Sequence, residues 1–192
     1  MLAGAPGIGV AVQVHPAGHV LGSAQVRLEH RGQVWVATGD YFVSGADEDP
    51  REDNANCTPF EPVRCHCFIT ESTFALPIYR WAAQRETFAA INAWWQANAD
   101  AGRASLLLGY SVGKAQRILM GVNAGIGPIV VHAAVEPLNR AYRAAGVALP
   151  ATQLVGNVAT GAARVIVTHG HEAVMLRWLN EQNLAAGSFE TT

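Results

Sequence analysis

The sequence predicts a mixed α/β fold of the α+β kind, in which a β-rich first part precedes a part where helices and strands alternate. Short apolar runs between residues 10 and 37 are separated by Gly and Pro, a pattern typical of a β-meander. After Pro77 the periodicity alternates between helix and strand, and a βαβα order implies a parallel sheet. Of the 192 residues, 50% are hydrophobic and 15% are charged, which suits a buried core and argues against disorder.

The first part is predicted to contain four strands. Three of them form the meander and span residues 10–14, 25–29 and 34–37. Residues 44–56 are acidic and rich in residues that break helices and strands, so we expect a solvated loop there. A short apolar strand over residues 67–70 follows this loop and ends at Glu71.

The second part alternates between the two periods. Its predicted helices span residues 84–101, 112–120, 135–145 and 172–182, and its predicted strands span residues 105–108, 129–131 and 164–168. The first helix carries Phe88, Ile91, Trp94 and Trp95 at helical spacing. We expect these side chains to pack in a core, because an apolar stripe at this spacing is more often a core face than a binding surface.

Charge and targeting signals limit the functional classes. The formal net charge is -2, so nucleic-acid binding would depend on a local basic patch or on bound metal rather than on the overall field of the protein. No apolar run approaches the roughly 18 residues of a membrane span. The first residues lack the basic region of a secretory signal. We therefore expect a cytoplasmic protein without membrane contact.

Polar residues follow four of the predicted strands and are candidate metal ligands. They are His19, Asp40, Glu71 and His169. Zinc is commonly bound by imidazole nitrogens together with carboxylate oxygens, although a carboxylate at a strand end is more often a turn former. The three cysteines, Cys57, Cys65 and Cys67, lack paired C-x-x-C spacing and are predicted to be reduced thiols. Spacing alone therefore leaves both a metal site and ordinary turns open.

The residues around these strand ends resemble a known family. Pro-Ala-Gly-His-Val-Leu-Gly-Ser-Ala, Thr-Gly-Asp-Tyr and Ile-Thr-Glu-Ser-Thr-Phe occur in the order and spacing of the β-CASP nucleases, a branch of the metallo-β-lactamase superfamily. The resemblance is to the bacterial DNA ligase-associated exonucleases in particular, also known as mRNA 3′-end processing factors. It extends through Thr-Pro-Phe-Glu-Pro-Val-Arg-Cys, Leu-Pro-Ile-Tyr-Arg-Trp, Gly-Lys-Ala-Gln-Arg and Val-Glu-Pro-Leu-Asn-Arg-Ala-Tyr-Arg-Ala-Ala-Gly-Val, and so covers most of the chain.

This resemblance implies a fold and an activity. The fold would be a partial metallo-β-lactamase αββα sandwich with a partial β-CASP α/β cap. Residues 1–76 would form core strands, residues 77–158 the cap, and residues 159–192 a return to the core. The activity would be that of a zinc-dependent exonuclease with two zinc ions per site. Its partners would be single-stranded DNA or RNA, together with an ATP-dependent DNA ligase and a helicase.

The resemblance also assigns roles to individual residues. His19 corresponds to a metal ligand, and Asp40 corresponds to the catalytic carboxylate that bridges both metals. Glu71 corresponds to a catalytic residue with a supporting acid-base role beside the metals. His169 corresponds to a ligand of the second metal, and its alternative is a histidine that caps the last helix.

Two basic residues in the second part are candidate nucleic-acid contacts. The segment from Gly109 to Lys114 is one residue short of a phosphate-binding G-x-x-x-x-G-K loop, and Ala115 replaces the Ser or Thr that would hold magnesium. The family resemblance instead implies a strand-to-helix turn of the cap. There, Lys114 and Arg117 could contact backbone phosphates. His132 is expected to have a structural role more often than a substrate contact, and His171 could lie beside the metal ligands.

Two motifs of the family are absent from this sequence, namely the H-x-H-x-D-H signature and a second histidine motif before residue 163. A zinc site needs about three or four protein ligands, so His19, Asp40 and His169 cannot fill two sites. We therefore expect an incomplete nuclease that tends to self-associate through apolar surfaces its missing strands would cover. The alternatives are a non-catalytic nucleic-acid-binding remnant and a small-molecule metallohydrolase.

Overall fold

A computed structural model describes residues 9–43, 56–74, 78 and 82–154, together with the backbone of residues 165–168. The chain divides into two compact units, Met1–Arg80 and Trp81–Thr192. Each unit has its own sheet, and the helices found among the described residues belong to the second unit. The mixed α/β class predicted from the sequence is therefore confirmed. The two units are described one at a time.

The first unit contains a four-stranded sheet of order β1-β2-β3-β4. Its strands are β1 (Ala11–Pro16), β2 (Ala24–His30), β3 (Gln33–Ala37) and β4 (Cys67–Ile69). The first three strands pair in antiparallel fashion, which confirms the predicted meander. The fourth strand pairs with β3 in parallel, a direction that the alternation of side chains cannot reveal.

A tight turn sets the register of the meander. Arg31 and Gly32 connect β2 to β3 and both have positive φ angles, 49° and 78°, as a two-residue type I′ hairpin turn requires. The turn places His30 opposite Gln33, so Val34 and Val36 point to one face and Trp35 to the other. Val34 and Val36 are buried, whereas Trp35 is 49% exposed. The two faces of this sheet therefore have different environments.

Strand direction determines which strand ends meet at one edge of this sheet. Because β1 and β3 are both antiparallel to β2, they run in the same direction, and β4 runs parallel to β3. The carboxyl ends of β1, β3 and β4 therefore lie at the same edge of the sheet. This edge carries three of the four polar residues that the sequence singles out, namely His19, Asp40 and Glu71.

The second unit contains a parallel sheet of order β5-β8-β6-β7. Its strands are β5 (Ser105–Leu108), β6 (Ile129–Val131), β7 (Gln153–Leu154) and β8 (Val165–Thr168), and its described helices are α1 (Gln84–Asp100), α2 (Lys114–Gly121) and α3 (Glu136–Ala144). The predicted alternation of helix and strand and the parallel sheet are confirmed. The sequence did not predict β7, because two residues are too few to show a period.

The hydrophobic core of this unit lies between α1, α2 and the sheet. Ile91 and Trp95 on α1 are buried, and Phe88 and Trp94 are partly buried against the same cluster. The prediction that these four side chains belong to a core is confirmed. No helix in the described part of the chain is long and apolar enough to cross a bilayer.

The position of β8 differs from the sequence-based expectation for residues 159–192. That segment was expected to return to the first part, yet β8 lies between β5 and β6 of the second sheet. The run Val165-Ile166-Val167 is continuously apolar, which is typical of an interior strand of a parallel sheet. The remaining domain assignments and the αββα sandwich stay predictions. His169 and the predicted helix over residues 172–182 lie outside the described residues.

Candidate metal centre at the edge of the first sheet

Three candidate residues follow the three strands that end at the same edge. His19 lies in the turn after β1, Asp40 lies three residues after the end of β3, and Glu71 lies two residues after the end of β4. The parallel pairing of β3 with β4 matters here, because an antiparallel β4 would carry Glu71 to the opposite edge. The sheet topology thus brings these residues to a common region.

His19 and Asp40 form a close pair. The distance from Nε2 of His19 to Oδ2 of Asp40 is 3.7 Å, and the two side chains are 46% and 77% exposed. An ion pair this exposed contributes only about 0–1 kcal/mol to stability, because water screens it and the side chains lose freedom. Stabilisation of the fold is therefore a weak reason for the juxtaposition, whereas the chemistry of the pair suits a metal ligand set.

The backbone of the turn that carries His19 is held by Ser23. The Oγ atom of Ser23 accepts hydrogen bonds from the backbone N–H groups of His19, at 3.1 Å, and of Val20, at 3.2 Å. The backbone N–H of Ala17 also donates to the carbonyl of Ser23 at 3.1 Å. These bonds fix the turn without involving the imidazole ring, which remains accessible to a ligand.

Glu71 is held as a carboxylate by its own turn. Its pKa lies below the ordinary value of 4.5, first because the backbone N–H of Thr73 donates to it and next because the Thr73 hydroxyl does so. Slight burial acts in the opposite direction, and the positive charge of protonated His19 lowers the pKa further. The backbone bond measures 2.5 Å to Oε2. At neutral pH Glu71 is therefore suited to accept a proton or orient a neighbour rather than to donate a proton.

The donor types fit zinc, but the described residues do not complete a zinc site. An imidazole and a carboxylate are both ordinary zinc ligands, and a site needs about three or four of them. Within the described ranges, no group of three or more His, Cys, Asp or Glu side chains is arranged to hold a metal ion. His19 and Asp40 are thus two candidate donors, fewer than a zinc site needs, and His169 lies outside the described residues.

Two residues with a role at this edge were not assigned one from the sequence. Ser23 and Thr73 both lie inside the motifs quoted above, and both make the hydrogen bonds that hold a candidate residue. A short hydroxyl side chain near a turn commonly bonds to neighbouring backbone groups, so the signal was present in the Gly-Ser and Glu-Ser-Thr sequences.

The basic candidates lie in the second unit. Lys114 and Arg117 are both on α2 and are partly exposed. The turn that precedes α2 is fixed by the backbone N–H of Gly113, which donates to Oε1 of Gln116 at 2.8 Å. At the next strand end, Nδ1 of His132 accepts a hydrogen bond from the Ala134 N–H at 3.1 Å. Nucleic-acid contact by Lys114 and Arg117 stays a prediction.

The three cysteines of the first unit do not form a disulfide framework. Cys57, Cys65 and Cys67 are all partly buried and none of them forms a disulfide, which agrees with the prediction that they are thiols. Cys57 instead donates a hydrogen bond from Sγ to the carbonyl of Gly18 at 3.4 Å, beside the His19 turn.

Comparisons with known proteins give one informative similarity. The chain is 29% identical over 141 residues to a protein named "Probable DNA ligase" from Opitutus terrae (strain DSM 11246 / JCM 15787 / PB90-1). The aligned residues represent 72% of this chain and 13% of that protein, so the chain spans only a small part of its relative. No protein-family model matches the chain. The metallo-β-lactamase branch of the resemblance and the association with a DNA ligase both stay predictions.

Proposed function

We propose that the chain is part of a metal-dependent nuclease that hydrolyses phosphodiester bonds of nucleic acid, and that His19 and Asp40 are two of its metal ligands. The observation that carries the proposal is the 3.7 Å separation of the His19 Nε2 and Asp40 Oδ2 atoms at an edge where three strands end. The name of the similar protein supports DNA as the nucleic acid. RNA is the alternative substrate that the family resemblance implies.

Each candidate site residue of the first unit has a proposed part in this function. His19 would bind zinc through an imidazole nitrogen and Asp40 through its carboxylate. When bound, zinc acts as a Lewis acid, makes water more acidic and stabilises negative charge on a phosphoryl group. Glu71, held as a carboxylate at the same edge of the sheet, would take a supporting acid-base role there.

The second unit would supply the contact with the substrate backbone. Lys114 and Arg117 lie on α2, which follows the carboxyl end of β5. In open parallel sheets, ligands bind outside the carboxyl ends of the strands. Each cation that neutralises a phosphate adds to affinity and makes binding sensitive to salt. We therefore propose that Lys114 and Arg117 contact backbone phosphates of the nucleic acid.

A metal-binding experiment tests the proposal directly. Zinc is titrated into the full chain against a chromophoric chelator, and the parent is compared with His19→Ala and Asp40→Ala. Each substitution removes one of few donors and is expected to weaken zinc binding by at least about tenfold. His30→Ala is the matched control, because His30 is an exposed histidine whose ring makes a long bond of 3.4 Å to the Gly9 carbonyl, away from the strand ends that carry His19 and Asp40.

Activity assays then separate the proposed function from its rivals. Single-stranded DNA and RNA are incubated with the chain, with and without EDTA. We expect at most weak, EDTA-sensitive cleavage, since the described residues supply only two donors. Equal zinc affinity of the parent and both alanine variants would refute the metal site. Two tightly bound zinc ions with rapid turnover would refute the incomplete ligand set.

Two further outcomes would favour the alternatives. Oligonucleotide binding that requires Lys114 or Arg117, without any cleavage by the parent, would indicate a non-catalytic nucleic-acid-binding remnant. Hydrolysis of a thioester but not of an oligonucleotide would indicate a small-molecule metallohydrolase.

A further inference from the structure

Three separate stretches of backbone meet at Gly18, one residue before His19. Gly18 has a φ angle of 73°, and a Cβ atom at this position would lie 2.5 Å from the carbonyl oxygen of Phe42 and 2.7 Å from the backbone nitrogen of Phe60. Contacts this short require the absence of a side chain. The stretch after Asp40 and the stretch before Glu61 therefore both approach the His19 turn as closely as backbone allows.

Residues 57–61, called the bridging segment here, are bonded to the His19 side of this junction. The backbone N–H of Glu61 donates to the carbonyl of Pro16 at 3.1 Å, and the Cys57 Sγ donates to the Gly18 carbonyl at 3.4 Å. The bridging segment thus contacts the chain on both sides of Ala17. It fixes where the turn leaves the end of β1.

Gln25 strengthens this attachment from inside the sheet. Its side chain is fully buried, and its Nε2 donates both to the Pro16 carbonyl at 2.9 Å and to the Glu61 carbonyl at 2.8 Å. Its Oε1 has no hydrogen-bond partner among the described residues. Burying the amide while its oxygen stays unbonded costs free energy. The favourable contribution of the Gln25 side chain is therefore the pair of hydrogen bonds that join β1 to the bridging segment.

The bridging segment also contacts the Asp40 side of the junction. The ring of Phe60 packs against the ring of Tyr41, with centroids 5.4 Å apart. The backbone N–H of Phe42 donates to the Ala17 carbonyl at 3.1 Å, which closes the junction from the other side. One short segment is therefore attached both to the residues before His19 and to the residue after Asp40.

We propose that the bridging segment sets the separation of His19 and Asp40, and that Gly18 and Gln25 are positioning residues for the metal site. Neither residue would touch the metal. This inference rests on the proposed function, because it assigns a purpose to the geometry of the two proposed ligands. It adds the residues that hold those ligands at a fixed distance before any metal binds.

Two matched pairs of variants test the proposal in the full chain. Gly18→Ala is compared with Gly22→Ala, because Gly22 has a similar φ angle of 83° but would have nothing within 4 Å of its Cβ. Gln25→Met is compared with Gln116→Met in the second unit, because Gln116 is also fully buried and its Nε2 donates to the Ser111 carbonyl at 3.1 Å. Gly22→Ala shares the backbone strain of Gly18→Ala, and Gln116→Met shares the lost buried amide of Gln25→Met.

The first measurement needs no metal. Nuclear Overhauser contacts between the His19 ring protons and the β-protons of Asp40 are recorded for the parent and for each folded variant. We expect these contacts in the parent and both controls, and their loss in Gly18→Ala and Gln25→Met. Retention of the contacts in Gln25→Met and in any folded Gly18→Ala protein would overturn the proposal.

The second measurement uses zinc titration and the visible spectrum of bound cobalt. Residues that orient metal ligands typically contribute about 10-fold to 100-fold to metal affinity, and we expect a loss in that range for Gly18→Ala and Gln25→Met. The controls should bind like the parent and give the same cobalt spectrum. If the parent itself binds no metal while the first measurement behaves as expected, the proposed function fails and the positioning of His19 and Asp40 stands.

Discussion

Glu71 shows how a single turn can select the protonation state of a candidate catalytic group. Its carboxylate accepts from the backbone N–H and the hydroxyl of Thr73, and both bonds favour the charged form. A protonated Glu71 would lose these bonds. The residue therefore suits a role as an acceptor beside His19, and the acid part of the role implied by the family resemblance is disfavoured at neutral pH.

This difference can be measured by titration. Because the folded pKa of Glu71 lies below its ordinary value of 4.5, the bonds to Thr73 are fully formed above pH 4.5 and are lost as the pH falls through the lowered value. We expect the NMR shifts of the Glu71 side chain and the Thr73 amide to report this midpoint. Thr73→Ala keeps the N–H but removes the hydroxyl, and should move the midpoint part of the way up. A parent midpoint at or above 4.5 would contradict the assignment.

The sequence identified the residues of the candidate metal centre more readily than those that support it. His19 and Asp40 were found because they lie in short motifs at strand ends, and the structure brings them to 3.7 Å. Gln25 gave no signal, because a glutamine in a predicted strand normally faces water. Its burial depends on the bridging segment, which lies 36 residues away in the chain, and local patterns carry no information about such contacts.

At the scale of helices and strands, local periodicity predicted the elements well and their partners only in part. The strands at residues 105–108 and 129–131 were predicted at their observed bounds. The parallel direction of β4 and the position of β8 were not predicted. Alternation shows which residues share a face, whereas the choice of a neighbouring strand depends on contacts that are distant in sequence.

A polar network joins α3 to the segment that leads into β7. Glu136 accepts hydrogen bonds from Thr152 at 2.6 Å and from Arg143 at 3.1 Å. Arg143 also donates to the Pro150 carbonyl at 2.7 Å and to Thr152 at 3.1 Å. Burial raises the pKa of Glu136, but the bonds from Thr152, Asn139 and Arg143 and the charge of Arg143 outweigh it, so the pKa lies below 4.5.

The geometry of this network predicts a difference between two arginines on the same helix. Arg143→Lys should lower the free energy of unfolding by about 1–2 kcal/mol, because an ammonium group cannot reproduce the divergent bonds of the guanidinium. Arg140→Lys should change it by less than about 0.5 kcal/mol, since an exposed pair contributes little. Arg140 is 76% exposed and lies 3.7 Å from Glu136.

Urea unfolding of the parent and both variants measures these effects. The contribution of Glu136 is present above pH 4.5 and is lost as the pH falls through its lowered pKa, so the deficit of Arg143→Lys should shrink in acid. Equal losses of unfolding free energy for the two variants at neutral pH would show that the divergent hydrogen bonds of the Arg143 guanidinium add nothing to stability.

At the scale of the whole molecule, one face of the first sheet is apolar and open to solvent. By strand register, Val14, Val26, Leu28, Trp35 and Ile69 share this face, and each is between 38% and 62% exposed. Contiguous exposed apolar surface of this kind commonly marks an interaction site. This observation supports the self-association expected from the sequence.

Sedimentation velocity over a range of concentrations tests this expectation. We expect the parent to associate as its concentration rises, and Trp35→Lys to reduce association because a charge at the centre of the face resists burial. Val112→Lys is the matched control, since Val112 is 48% exposed but lies in the second unit. A monomeric parent, or an equal effect of both substitutions, would exclude this face as the contact.

The parallel pairing of β3 with β4 also sets the order in which the first unit can fold. The hairpin contacts of β1, β2 and β3 join neighbouring stretches of chain, whereas β4 is registered by the bond from the Val34 N–H to His66 across 32 residues. The entropy lost on closing a loop grows with its length, and non-local pairings form more slowly. We expect the meander to form first and β4 to dock afterwards. Glu71 would then reach the edge that holds His19 and Asp40 only in the last step of folding.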